Sequence, residues 1–146
     1  MKKKILVVDD DPQIRESLRK LLRAEGYEVV LAANGQEGID QYDPDNIDLL
    51  LLDLNLPGNS GWDVFGTLTS LNPFLPIIII TGRDNQHELA AEAGVGALMQ
   101  KPLDLPRLLQ TITELLVESS ETRLRRLVGL KSDVRYVVPR QTHSTG

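Results

Sequence analysis

The stretch that most constrains the fold of this chain is Ile47-Asp48-Leu49-Leu50-Leu51-Leu52-Asp53-Leu54-Asn55-Leu56-Pro57-Gly58. A nearly unbroken apolar run closed by a Pro-Gly turn signal fits a strand buried on both faces in the middle of a parallel sheet. The acid at its far end, Asp53, falls where such a strand leaves the core. In open α/β sheets ligands bind outside the carboxyl ends of the strands.

The flanking sequence repeats one alternation. Apolar runs at Ile5–Val8, Tyr27–Ala32, Ile47–Leu52, Pro76–Thr81 and Ala97–Gln100 alternate with helical patterns. The first helix opens at Asp11-Pro12, an N-cap followed by proline at the first helical position, and buries Ile14, Leu18, Leu21 and Leu22 before Gly26 stops it. Asn34-Gly35-Gln36-Glu37 has the form of a capping box opening a second helix that ends by Pro44. A third helix is expected from about Trp62 to Leu71 and a fourth from about Asn85 to Ala93. Asp104 caps a last one, striped by Leu105, Leu108, Leu109, Ile112, Leu115 and Leu116. Strict βα alternation of this kind implies an α/β fold, a doubly wound five-stranded parallel sheet with helices on both faces.

Composition narrows the function. The chain has 146 residues, 41% hydrophobic and 25% charged, which suits one globular domain. It has no cysteine, so disulfides, thiolate metal sites and sulfur redox chemistry are excluded. The basic Met1-Lys2-Lys3-Lys4 precedes an apolar run too short for a signal peptide, and no segment reaches the length of a membrane span. A cytoplasmic location with no membrane association is therefore the expectation. Residues 1–121 hold 20 acids against 10 bases, whereas 122–146 hold one acid and six bases. An acidic body argues against that body gripping nucleic acid.

Functional groups recur where the strands end. The first strand runs into Asp9-Asp10-Asp11, the third into Asp53 and the fourth into Thr81, and the fifth is followed by Lys101. In the strand order 2-1-3-4-5 these four strands are consecutive neighbours, so their ends converge. Crowded carboxylates repel one another, and a hard divalent cation such as Mg²⁺ relieves the repulsion. A carboxylate oxygen left free is a nucleophile for phosphoryl groups, giving an aspartyl-phosphate. Lys101 supplies a compact positive charge, and Thr81 a hydroxyl, for the phosphoryl oxygens.

Ile5-Leu-Val-Val-Asp-Asp-Asp-Pro12, Leu52-Asp-Leu-Asn-Leu-Pro-Gly58, Ile80-Thr-Gly82 and Lys101-Pro102 together resemble the receiver domain of bacterial two-component response regulators. The resemblance covers about residues 3–118, and the flavodoxin-like order 2-1-3-4-5 rests on it. It implies that Asp53 takes phosphate from a sensor histidine kinase or a phosphotransfer protein. Asp9, Asp10, Asp53 and the backbone carbonyl of Asn55 would hold Mg²⁺, with Mn²⁺ as a substitute. Thr81 and Lys101 would bind the phosphoryl group, the Lys101–Pro102 bond would be cis, and Asn55 and Arg83 would border the phosphate and tune its lifetime. Phosphate would pull Thr81 inward and change the face made by the fourth helix, fifth strand and last helix, through which a downstream protein or a homodimer would be engaged. The family usually carries an aromatic three residues before the lysine. Leu98 stands there instead, so the ring-based part of that switch is missing.

Other features read more blandly. His87 and His143 lack metal-ligand spacing, and Trp62 packs at a helix start. The tail, 119–146, is basic, part helical and disordered from 139. Leu124, Leu127 and Val128 share one helical face, whether the last helix continues or breaks near Ser119-Ser120. It is either a solvated appendage or a self-association and docking element, and direct nucleic-acid binding is not expected, because no helix-turn-helix length remains. Two other functions compete with the signalling switch, which is itself not an enzyme beyond its own phosphorylation and dephosphorylation. A Mg-dependent aspartate-nucleophile phosphatase needs an acid two residues after the nucleophile, where Asn55 stands. A receiver-like module that never takes phosphate has usually lost an acid or the lysine, and none is lost here.

Overall fold

The computed structural model describes residues 2–58, 60–82, 90, 94–128 and 135–139, with the side chains of Arg135 and Tyr136 left aside. The apolar runs become strands β1 (Lys4–Val8), β2 (Glu28–Ala32), β3 (Leu49–Asp53), β4 (Ile77–Thr81) and β5 (Ala97–Gln100). All five pair in parallel in the order β2-β1-β3-β4-β5. Every residue of β3 and of β4 is buried, as runs without polar alternation require.

Helices α1 (Pro12–Ala24), α2 (Gly35–Gln41), α3 (Gly61–Leu71) and α4 (Leu105–Leu116) cover the sheet. Period-two alternation divides the strand side chains between them. Leu6, Val8, Leu50, Leu52, Ile77 and Ile79 meet Val64 and Leu68 of α3, with Ile39 of α2 packed alongside. On the other face Ile5, Val7, Leu49, Leu51, Ile78 and Ile80 meet Leu18 and Leu22 of α1 and Leu108, Ile112 and Leu115 of α4. Each such side chain taken out of water contributes about 1.5–3 kcal/mol. The helix expected over 85–93 lies outside the described residues except for Ala90, which is buried in the α2/α3 face.

The caps hold as read. Asp11 accepts from the N–H groups of Gln13 (2.8 Å) and Ile14 (3.5 Å), and Asp104 from that of Arg107 (3.2 Å). Asn34 accepts from the N–H of Glu37 (2.9 Å), and Glu37 in return takes a hydrogen bond from the Asn34 side-chain amide (3.0 Å). Ser60 caps α3, so that helix begins one residue before Trp62. At Gly61 the chain passes directly behind the β3 exit: an added Cβ would stand 2.5 Å from Leu54 Cα and 2.7 Å from the Asp53 carbonyl.

The tail departs from its expected pattern. The chain breaks after α4, Ser119 caps a further helix α5 (Ser120–Leu127), and a sixth strand β6 (Arg135–Val137) adds in parallel to β5. Leu124 and the C-cap residue Val128 are exposed, Leu127 is half-buried and Arg126 is buried, so the face that packs overlaps the apolar face read from the sequence only at Leu127. Residues 140–146 lie outside the described residues.

Two alanine substitutions separate backbone crowding from helix propensity. Gly61→Ala should cost about 1–3 kcal/mol, because its Cβ meets backbone that cannot yield. Gly66→Ala, inside α3 with nothing within 4 Å of its Cβ, should gain about 0.5–1 kcal/mol. Denaturant midpoints at a common m-value check both.

Candidate functional site

The parallel registers bring the strand exits together: Val8 lies beside Leu52, Asp53 beside Ile80, and Thr81 beside Gln100. The residues at and just beyond these exits carry the polar groups. Asp9 and Asp53 are both fully buried. Asp9 continues the β1 ladder through its N–H to the Ala32 carbonyl (3.1 Å), and its own carbonyl accepts from Arg15 Nη1 (2.7 Å). Its Oδ1 accepts from the N–H of Asp11 (2.9 Å). Its Oδ2 has no aligned hydrogen bond and lies 3.4 Å from Lys101 Nζ.

Asp53 is the last residue of β3. One carboxylate oxygen accepts from the N–H of Asn55 (2.9 Å) and the other from Lys101 Nζ (3.2 Å). Lys101 is placed by its backbone, whose N–H donates to the Thr81 carbonyl (2.8 Å), and the Lys101–Pro102 peptide is cis, as the resemblance implies. Asp10 is exposed, and one carboxylate oxygen from each of Asp9, Asp10 and Asp53 falls within 4.8 Å of the other two. A cleft of about 620 Å³, lined by Asp10, Asn55, Leu56, Ser60 and Trp62 among others, opens beside them.

Three carboxylates around one ammonium leave an excess of negative charge. Burial, then the neighbouring Asp53 charge, pushes the Asp9 carboxyl above its ordinary value, against the pull of the Asp11 N–H and of Lys101. For Lys101 burial works to lower the pKa. Attraction to Asp53 and Asp9, with the hydrogen bond to Asp53, outweighs it, and the net shift is upward. A buried acidic oxygen without a hydrogen bond, in a set of donors that are all oxygen, fits a hard divalent cation of the Mg²⁺ or Mn²⁺ kind.

Of the residues singled out from the sequence, Asp9, Asp10, Asp53 and Lys101 come together, and Asn55 sits exposed on the loop that caps Asp53. Thr81 is buried at the end of β4, the residue after the register partner of Asp53. Leu98 is buried within β5. Trp62 stacks edge-on against Phe65, ring centroids 5.5 Å apart, and also lines the cleft, a second role that the sequence reading missed. Arg15 was missed as well, and its only signal was its place one turn into the helix that follows Asp9. Arg83, His87 and His143 lie outside the described residues.

A family model described as response regulator receiver domain matches residues 5–113. The response regulator MprA of Mycobacterium bovis (strain BCG / Pasteur 1173P2) is 42% identical over 118 residues, which is 80% of this chain and 51% of that protein. The chain thus spans about half the length of the curated relatives it matches. Among solved structures, a CheY-like response regulator receiver domain protein from Methanospirillum hungatei JF-1 superposes with a TM-score of 0.76 at 31% identity, covering 86% of this chain and 98% of its own. The response regulator TrrA from Thermotoga maritima, solved in complex with Mg²⁺–BeF, superposes with a TM-score of 0.71 at 34% identity, covering 77% and 98%.

Because the Asp9 pKa is raised on folding, its contribution to stability is full below the ordinary carboxylate value of 3.8 and is lost as pH rises through the folded value. Asp9→Asn removes that charge at nearly constant shape. Without divalent cation it should stabilise the chain at neutral pH, because the buried charge that folding disfavours is gone. The gain should shrink as pH falls toward 3.8. Urea unfolding of both proteins across pH checks it, and a variant less stable than wild type at neutral pH contradicts it.

Proposed function

The chain belongs to the response regulator receiver family, the phosphoacceptor domains of two-component signalling, and we propose on that footing that Asp53 is its phosphoacceptor. The observation that carries this is the position of Asp53: buried at the end of the central strand, beside Asp9 and Asp10, with Lys101 on one carboxylate oxygen. An Asp53 carboxylate oxygen attacks the phosphorus of a phosphohistidine, an O–P bond forms as the P–N bond breaks, and the imidazole leaves with the bonding pair and takes up a proton. The Lys101 ammonium moves from the carboxylate toward the incoming phosphoryl oxygens, and the Thr81 hydroxyl donates to one of them. Asp9, Asp10, Asp53 and the Asn55 carbonyl would hold Mg²⁺, which when bound neutralises the charge gathered between nucleophile and phosphoryl group. The Mg²⁺–BeF complex of the related TrrA supports that assignment.

The donor is a sensor histidine kinase or phosphotransfer protein, and the phosphorylated chain acts by binding a downstream protein. The chemistry is confined to its own phosphorylation and hydrolysis, with no external substrate turned over. Asn55, in the place of a second acid, argues against a phosphatase of external esters. Intact Asp9, Asp10, Asp53 and Lys101 argue against a phosphate-free module. No helix among the described residues is long and apolar enough to cross a membrane. We place the chain in the cytoplasm with its kinase's catalytic core.

Incubation with acetyl phosphate and Mg²⁺ should add one phosphoryl mass to the wild type and none to Asp53→Asn. Asp10→Asn should raise the Mg²⁺ concentration needed for half-labelling by about tenfold or more, since an anionic ligand is lost. The single Trp62, on the cleft wall, reports cation binding by fluorescence independently of labelling. Labelling that persists in Asp53→Asn refutes the assignment.

A further inference from the structure

Asp10 is exposed, and among the described residues no side-chain hydrogen bond or ion pair holds its carboxylate. One of its oxygens nevertheless comes within 4.8 Å of oxygens of the buried Asp9 and Asp53. Its place is therefore set by the backbone of the turn that leads from β1 into α1. That turn is tied at both ends: the Asp9 N–H donates to the Ala32 carbonyl of β2 (3.1 Å), and the Asp11 carbonyl accepts from the N–H of Arg15 (3.0 Å).

Between those ties the backbone is gripped by one side chain. Arg15 Nη1 donates to the Asp9 carbonyl at 2.7 Å, the length of a charge-assisted hydrogen bond. The Asp9 carbonyl and the Asp10 N–H belong to one planar peptide unit, so a donor fixed on that oxygen fixes the plane from which Asp10 departs. Asp9 is fully buried, and a buried carbonyl that loses its donor turns toward another, taking the peptide plane with it. The grip is rigid at its base, because Arg15 is half-buried and Leu18, one turn further along α1, packs in the same apolar cluster as Ile5, Val7 and Leu49 of the sheet. The charges that move the Asp9 carboxyl are those of Asp53 and Lys101, so Arg15 acts on the turn's geometry and not on that carboxyl's ionisation.

We propose that Arg15 is a positioning residue: by holding the Asp9–Asp10 peptide it sets the reach of Asp10 toward Asp9 and Asp53, and so the affinity of their site for Mg²⁺. This rests on the assignment of those three acids as Mg²⁺ ligands. Charge and geometry give opposite signs for the loss of Arg15. Removing a cation from the neighbourhood of three carboxylates strengthens their attraction for Mg²⁺. Releasing the peptide that aims one of those carboxylates weakens binding, as the loss of a group that orients a metal ligand does.

The test uses the full chain, Arg15→Met, which keeps a long stem and removes the donors, and Arg15→Lys, which keeps a charged donor. Titration with MgCl₂ read by Trp62 fluorescence, and with MnCl₂ read by the electron-spin signal of the free ion, gives affinity without any phosphorylation. Arg15→Met should bind both ions about tenfold more weakly than wild type, the scale for partners that orient metal ligands. Arg15→Lys should bind them more tightly than Arg15→Met. An Arg15→Met that binds as tightly as wild type, or more tightly, overturns the proposal whatever its urea midpoint, since Arg15 then serves stability alone. A wild type that takes up neither ion overturns the metal assignment and this inference with it, whereas equal binding by wild type and Arg15→Met overturns this inference alone. If Arg15→Met fails to fold, Arg15→Ala is read by the same titrations with the same expectations.

Discussion

Three carboxylates drawn to the open end of a buried sheet, with one ammonium between them, are the constraint on which this structure depends. Asp9 and Asp53 are out of contact with water, and Lys101 Nζ stands 3.4 Å and 3.2 Å from them. Away from bulk solvent such charges act strongly on one another, so their placement is consequential in both directions. Lys101 relieves part of the repulsion, and the Asn55 and Asp11 N–H groups relieve more. Burial, and after it the Asp53 charge, still holds the Asp9 carboxyl above its ordinary value. An all-oxygen site left short of positive charge suits a hard divalent cation.

The scaffold tolerates this because its apolar strands are paired on both sides and covered on both faces. Registered parallel pairing holds the exits of β1, β3, β4 and β5 level to within a residue, so the polar groups are set by rigid strands and only fine-tuned by loops. Gly61 belongs to the same logic: α3 starts so close behind the β3 exit that no side chain fits between. The Lys101 N–H on the Thr81 carbonyl ties the cation-bearing loop to β4, so that displacement at either residue is felt by the other.

Much of this was legible in the amino-acid sequence. The runs leading to Asp53 and Thr81 have too little polar alternation for a half-exposed strand, and Asp11, Asn34 and Asp104 cap helices as their positions foretold. The four motifs carrying Asp9, Asp10, Asp53, Thr81 and Lys101 pointed to one rim. Arg15 was not legible, since a guanidinium reaching back to a backbone carbonyl six residues earlier leaves no pattern among other surface arginines. The sixth strand was not legible either: three residues are too few to show a period. Arg126 shifted the packed face of α5, because a bidentate partner in Glu118 made burying a guanidinium acceptable, and of the expected apolar residues Leu127 packs while Leu124 and Val128 stay outside.

What the amino-acid order determined by itself is the local and repetitive part: which segments are strands or helices, where the helices begin, and which residue types wait at the strand ends. Those properties depend on periodicity and neighbouring side chains, and both are written along the chain. Only the tertiary structure decided which carboxylate oxygen accepts from the Lys101 ammonium, that Asp9 carries an oxygen without a hydrogen bond, and that the basic tail closes the sheet edge. These are contacts between residues far apart in the chain, such as Lys101 with Asp53 and Met99 with Val137. Their distances and dehydration exist only once the sheet has brought them together.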